Sequence, residues 1–328
     1  MLTEPHFMHS KIVLVWASNG ERLSFKNDNL FVSDKDDVVK LQYSCYKIFL
    51  IFVVGGFSLT SGVIEKAKQF GFSIVFFSHS FKFVDAINFK TEGNTLLREK
   101  QYNTAHALLI AKEIVINKIE NQIVLLKKLR SKECEGIDML KNCIAQVANA
   151  DNLQAIMGYE GIAAKAYFNR AFKGLEWIGR QPRVKRDLVN LLLDIGYTVL
   201  FNYLDALLNL YGFDTYKGNL HQIFYNRKSL TCDMVEPFRP IIDNATKKII
   251  TLNQITEKDY QKTHDGRISV SWKSSAKIVT IFINDISNHK QCLFRYIQSF
   301  YRWFMKNASS ETIAAPMPKG EIKDNDFD

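Results

Sequence analysis

Cysteine is scarce and unpaired in this chain. Cys45, Cys134, Cys143, Cys232 and Cys292 are the only five in 328 residues, widely spaced and with no CxxC pair. This excludes a disulfide framework and a zinc finger, and it fits a reducing, cytosolic compartment. No P-loop or dinucleotide fingerprint is present, since Val54-Gly55-Gly56 is too short to count. The start, Met1 to His6, lacks the basic end and apolar stretch of a signal peptide. The longest apolar run, Ile48 to Phe57, is too short for a bilayer and carries two glycines. No internal repeat is visible. The expectation is a soluble cytoplasmic protein without a membrane partner.

What is present is a composition able to build a core, 47% hydrophobic, over a length that suits one large domain or two smaller ones. A net charge of +9 and a pI near 9.1 favour a polyanionic partner. Charge alone does not separate nucleic acid from an acidic membrane surface.

The apolar period changes along the chain. From Lys11 to about Asn88 it is near two, or continuously apolar, with strands expected at Ile12–Trp16, Arg22–Lys26, Leu30–Val32, Val38–Gln42, Ile48–Val54 and Ser73–Phe77. Ser18-Asn19-Gly20 and Asn27-Asp28-Asn29 read as hairpin turns. One helix is expected from a cap in Ser58-Leu59-Thr60-Ser61 to Gln69, ended by Gly71. Beyond Lys90-Thr91-Glu92-Gly93-Asn94 the period is helical, with a long stretch over Thr95–Leu129. Further helices are expected at 150–173, 187–211, 229–253 and 289–306. Pro237 and Pro240 should kink the third of these. The expected fold is α+β, a β-rich domain over 1–88 followed by a linker at 89–94 and a mostly helical domain over 95–314. The polar, acidic tail at 315–328 is expected to be disordered.

Three islands carry candidate chemistry. Glu160 falls in the stripe made by Leu153, Ile156, Met157, Ala164, Tyr167, Phe168 and Ala171, where an unpaired carboxylate would cost several kcal/mol. It therefore needs a metal, a cation, a shifted pKa or a water-filled cleft. His221 precedes a helix bearing Asp233 and Glu236, three apart on one face. Two carboxylates and an imidazole suit Mg2+ or Mn2+ over calcium, and the absence of cysteine argues against zinc. A structural ion pair at Glu160, a capping histidine and a capping box over Asp233 and Glu236 are the plainer alternatives. Arg239 could neutralise Glu236 or hold a phosphate.

Basic residues suited to phosphate contact cluster at Arg180, Arg183, Lys185 and Arg186, ahead of a helix N-terminus. Arg295, Arg302 and Lys306 line the last helix beside Tyr296, Tyr301 and Trp303, which would offer stacking surfaces unless those rings belong to the core.

At these motifs the sequence resembles the CRISPR-associated spacer integrase family. The resemblance runs through Ser58 to Gly62, Ile110-Ala111-Lys112, Lys118 to Gln122, Gly158 to Gly161 with Tyr167-Phe168, Pro182 with Asp187 and Asn190, and Leu220-His221 through Pro240. It covers roughly residues 55 to 295. Ser78-His79-Ser80 replaces a glycine often found after the strand ending near Phe77, and the first nine residues show no family pattern. The resemblance implies metal ligands at Glu160, His221 and Glu236, with Asp233 as an acidic accessory. It also implies a homodimer formed through the β-rich domain and a small dimeric adaptation partner. The DNA fragments carried would be joined to the CRISPR repeat through their 3′ hydroxyls by Mg2+- or Mn2+-dependent transesterification. A structure-selective metal nuclease that does not join DNA, and a non-enzymatic DNA-binding scaffold, are the competing readings.

Overall fold

The computed structural model describes residues 3–17, 20–58, 60–89, 91, 93–129, 135–308 and 316–327. Five expected strands appear: β1 (Lys11–Trp16), β2 (Arg22–Lys26), β3 (Asn29–Ser33), β4 (Val39–Ser44) and β5 (Ile48–Val54). A helix, α2 (Ser61–Phe70), then crosses over to β6 (Ser73–Phe77), and β7 (Phe83–Ile87) completes the domain. A short α1 (Glu4–Met8) precedes them. The larger sheet has the order β1-β5-β6-β7, parallel except for the β6–β7 pair, and β2-β3-β4 form an antiparallel meander. Asn27 and Asp28 both take positive φ, as a two-residue hairpin between the paired Lys26 and Asn29 requires. The turn expected at Ser18-Asn19 lies outside the described residues. Thr60 caps α2 without a side-chain bond, and Gly71 ends it in the left-handed region at φ 75°.

Strand β5 is buried at every residue, and its period of two sends its side chains to two different places. Leu50, Phe52 and Val54 pack into the core shared with the helices. Ile51 and Val53 pack with Leu30 and Val32 of the meander and Val63 and Ala67 of α2. The boundary near residue 90 is thus a change of secondary structure, while the core runs across it. The expected linker is tied down as well: Asn94 donates to the carbonyl of Tyr211 (2.9 Å), and Thr91 bonds Leu210.

The stretch expected as one helix over Thr95–Leu129 is two, α3 (Thr95–Tyr102) and α4 (Ala107–Lys128). Between them Thr104 accepts from the backbone of His106, a local bond that competes with the helical ladder. Besides α1 and β7, the elements that were not expected are α5 (Glu135–Asn149), the hairpin β8–β9 (Tyr260–Lys262, Ile268–Val270) and α10 (Trp272–Asn288). α5 packs on α4 and on α6 (Leu153–Ala171).

Helix α7 (Leu188–Tyr211) begins at Asp187, whose carboxylate accepts from the Asn190 backbone, and ends at Gly212 with φ 85°. It is long and apolar enough to cross a membrane by length and composition, but 83% of that window is buried inside the protein. Gly196 lets neighbours approach it, since a Cβ there would lie 2.4 Å from Ile242 Cγ2. As the prolines require, the segment after Ser229 breaks into α8 (Ser229–Val235), a 3-10 turn (Glu236–Phe238) and α9 (Arg239–Thr251). α11 (Lys290–Asn307) completes the bundle.

The acidic tail departs from the expectation of disorder. Residues 316–327 lie along the bundle with Met317, Ile322 and Phe327 buried, each within 5% of full burial. The large apolar side chains, spaced about five residues apart, supply the anchorage that net polarity obscured.

Candidate metal and nucleic-acid site

Glu160, at the middle of α6, is half-buried and Met157 is 51% exposed, while Ile156, Tyr167 and Ala171 of the same stripe are core, so the stripe opens to solvent only around Met157 and Glu160. The cation that Glu160 requires is Lys118 of α4, whose ammonium binds it directly. The same ammonium reaches Glu236 at 2.6 Å. Lys118 is almost fully buried; desolvation works against its charge, but Glu236 and Glu160 outweigh that and its pKa is raised. Sequence reasoning placed Lys118 in a motif and gave it no role. The available signal was a lysine inside the apolar run Ile114 to Ile119 of a buried helix.

Glu236 comes from the 3-10 turn, where Pro237 ends the preceding helix. Arg239 grips it with two bonds, Nε to Oε2 and Nη2 to Oε1, both 2.9 Å. Burial alone would push the Glu236 carboxyl up, yet Arg239 and Lys118 hold it well below the usual carboxylate range. Arg239 in turn lies over the ring of Tyr197, 4.5 Å from its centroid. Tyr197 and Tyr167 both donate to Asp243, the latter at 2.7 Å, and burial pushes the Asp243 carboxyl up to about 6. Arg239 thus neutralises Glu236 and stacks on Tyr197, with its side chain 28% exposed.

His221 sits in a loop that closes tightly on itself: a Cβ on Gly218 would lie 2.8 Å from the His221 carbonyl oxygen. Asp233, fully buried on α8, organises that loop. Its Oδ2 accepts from the backbones of Asn219 (2.6 Å) and Leu220 (3.0 Å), and its Oδ1 from the backbone of His221 (2.9 Å). The His221 Nδ1 lies 2.7 Å from the same Oδ1, which leaves Nε2 as the ring nitrogen not engaged by Asp233. Asp233 thus faces the histidine loop while Glu236 faces Lys118 and Arg239, and the two do not share a single ligand position. Among the described residues no three His, Cys, Asp or Glu side chains stand close enough together to hold a metal ion. The structure brings Glu160 and Glu236 together on one ammonium and orients His221 separately.

The basic residues divide. Arg180 bonds Asp194 (2.7 Å) and Asn190 (3.0 Å) and packs over Tyr197, so it fixes the loop ahead of α7. Arg183 and Arg186 are exposed and Lys185 is half-buried. Arg295 pairs with Glu4 of α1, while Arg302 is exposed. Tyr296 and Trp303 are core residues and Tyr301 is half-buried, so the expected stacking edge on α11 is not formed by the first two.

The chain matches the family described as CRISPR associated protein Cas1 over residues 14–283. A relative named CRISPR-associated endonuclease Cas1 1, from Chlorobaculum tepidum, is 28% identical over 290 residues, which is 81% of this chain and 83% of that one. Among solved structures, a Cas1 protein from Thermotoga maritima superposes with a TM-score of 0.78 at 20% identity, covering 93% of this chain and 99% of that one. A casposase bound to integration product gives 0.77 at 20% identity, over 95% of both chains. A Cas6-RT-Cas1–Cas2 complex gives 0.75 at 24% identity, over 95% of this chain and 36% of the other. At these identities the superpositions establish a shared fold.

Proposed function

Because the chain belongs to the CRISPR-associated Cas1 family, we propose that it is a DNA endonuclease and integrase that inserts short DNA fragments into a CRISPR array. The reaction is attack of a 3′ hydroxyl on a phosphodiester at the repeat, a transesterification that joins fragment to array as the P–O bond to the cut strand's own 3′ oxygen breaks and that oxygen leaves as a 3′ hydroxyl. The observation that carries the reading is the convergence of Glu160 and Glu236, from separate elements, on a single cation, with the imidazole of His221 oriented in its own loop by Asp233.

Two carboxylates already gathered around one positive charge form a donor set that fits a hard dication, with imidazole nitrogen as a compatible third ligand. Mg2+ or Mn2+ held by Glu160, Glu236 and His221 would supply activation of the hydroxyl and neutralisation of charge on the phosphate. Lys118 keeps the two glutamates from repelling one another, and Arg239 restrains Glu236 to one rotamer. Asp233 fixes the imidazole through Nδ1, the kind of outer support on which ligand orientation depends. Arg183, Lys185, Arg186 and Arg302 would position phosphates, contacts that set register without reading bases.

The structural relatives named for an integration product and for a Cas1–Cas2 complex support double-stranded DNA and a small Cas2-type protein as partners. Val38, Val39 and Tyr46, each more than half exposed on or beside β4, supply apolar surface for a homodimer through the β-rich domain.

The test is strand transfer of a short duplex with a free 3′ hydroxyl into a supercoiled plasmid carrying a repeat, in Mn2+ or EDTA, with and without the partner. Metal-dependent joined product that disappears in Glu160→Ala and His221→Ala is the expected result. Nicking without joining, with the partner present, would turn the assignment to a nuclease. Binding without chemistry would leave a scaffold.

A further inference from the structure

The tail meets the site at one place. Asn117 and Asn121, one turn apart on α4 with Lys118 between them, are buried and direct their amides at the tail backbone from Gly320 to Ile322. Asn117 Oδ1 accepts from the Gly320 backbone (2.8 Å), and Asn121 Oδ1 from that of Ile322 (3.2 Å). The Asn121 amide nitrogen donates twice, to the Gly320 carbonyl (2.6 Å) and to the carbonyl of Pro237 (2.7 Å), the residue after Glu236. The ring of Phe238 presses on Gly320 so closely that a Cβ there would lie 2.3 Å from its Cζ.

We infer that the C-terminal segment 316–327 is a positioning element of the site, closing over Asn117 and Asn121 so that the Glu236–Phe238 turn is pinned against the helix that carries Lys118. The inference rests on the reading of Glu236 as a site residue. Two buried asparagines spend most of their hydrogen-bonding capacity on tail backbone, and removal of the tail takes those partners away. Asn121 then retains Pro237 alone, and Phe238 loses one wall of its pocket. The turn gains freedom at the residue whose carboxylate must meet Glu160. The segment has further anchors: Lys319 pairs with Glu120 (2.7 Å), and Asn244 and Lys248 donate to the Phe327 carbonyl.

The segment also carries its own reporter, because the Cys292 thiol donates to the Glu321 carbonyl at 3.1 Å. The full chain is compared with Gly320→Leu, which drives a side chain into Phe238, and with a chain ending at residue 315. In both variants alkylation of Cys292 and amide exchange over residues 235–239 should quicken by about tenfold or more, reporting local opening. Strand transfer should fall about 10–100-fold, the scale seen when supports of site residues are lost. A peptide of residues 316–327 added to the shortened chain should restore transfer. Unchanged exchange at 235–239 in both variants would overturn the inference, as would freed Cys292 with undiminished transfer. Loss of transfer that the peptide does not restore, together with a collapsed thermal midpoint, would make the segment part of general stability and overturn it too. If the full chain transfers no strands, the integrase reading fails by itself, and the exchange measurement still decides whether the tail pins the turn.

Discussion

Replacing Lys118 with Met keeps the length of the buried stem and removes its charge, leaving Glu160 and Glu236 to face one another across the gap. Deleting one partner of a buried ion pair costs about 3–5 kcal/mol. The lower end applies, because Arg239 keeps its two bonds to Glu236 and the Glu160 side chain, 27% exposed, still reaches water. About 3 kcal/mol should lower the thermal midpoint by roughly 4–5 °C for a chain of 328 residues, whose unfolding entropy is about 2.1 cal/mol/K per residue. A divalent ion acts in the opposite direction: at a hundred times its dissociation constant it adds about 2.7 kcal/mol. Its gain should be larger in Lys118→Met than in the wild type, where the ion must compete with an ammonium already in place. Thermal unfolding followed by circular dichroism, in EDTA and across a manganese titration, reads both terms. A midpoint within ~2 °C of wild type in EDTA would refute the claim that Lys118 holds the carboxylates together. An equal manganese gain in the two proteins would refute the idea that ammonium and dication share one place.

Asp233→Asn places an amide where two N–H groups converge on each carboxylate oxygen, so at least one buried donor loses its acceptor, a cost of about 1–3 kcal/mol. Strand transfer should fall about 10–100-fold as the imidazole loses its support; a variant with wild-type turnover would count against that role. For Asp243, with its carboxyl pushed up to about 6, the folded protein holds a proton that the unfolded chain has already released above about pH 4. Stability from this residue therefore falls as pH rises from about 4 to 6, and the cost is complete above that window. Relative to Asp243→Asn, the wild type should lose on the order of 2–3 kcal/mol across that range by urea unfolding; parallel pH profiles would contradict the assignment. Gly196→Ala forces a methyl toward Ile242 and Phe282 and should cost about 1–3 kcal/mol, measured the same way, and a neutral outcome would mean that α9 and α10 yield freely.

How much of this was legible in the sequence depended on the range of the interaction involved. Strands β1 to β6 and helix α7 announce themselves through local period, through the cap at Asp187 and through Gly212. The break after Ser229 follows from two prolines. Glu160, His221 and Glu236 were visible as candidates, since each is an unusual residue in its local context. The partners that define their surroundings were not. Lys118 lies 42 residues from Glu160 and more than a hundred from Glu236, and no spacing rule connects them. Asp233 looked like a companion of Glu236 because helical spacing put them on one face, whereas its loop partners, Asn219 to His221, turned it elsewhere. The missed α5 and α10 have a different cause. Leu140, Cys143 and Val147 in one, and Ile278, Phe282 and Ile286 in the other, carry a plain helical period that could have been read. The tail was missed because its three anchors are sparse among charges.

Helix α7 has a consequence for biosynthesis. Residues 188–211 leave the ribosome before α9, α10 and α11 exist to cover them, and the last of these ends at Asn307, roughly a hundred residues later. At about 5–20 residues per second the nascent chain displays its most apolar helix for roughly 5–20 s. During that interval the segment has the length and greasiness of a bilayer span, and it presents to the cell the kind of surface that nascent-chain chaperones and membrane-targeting factors compete to bind.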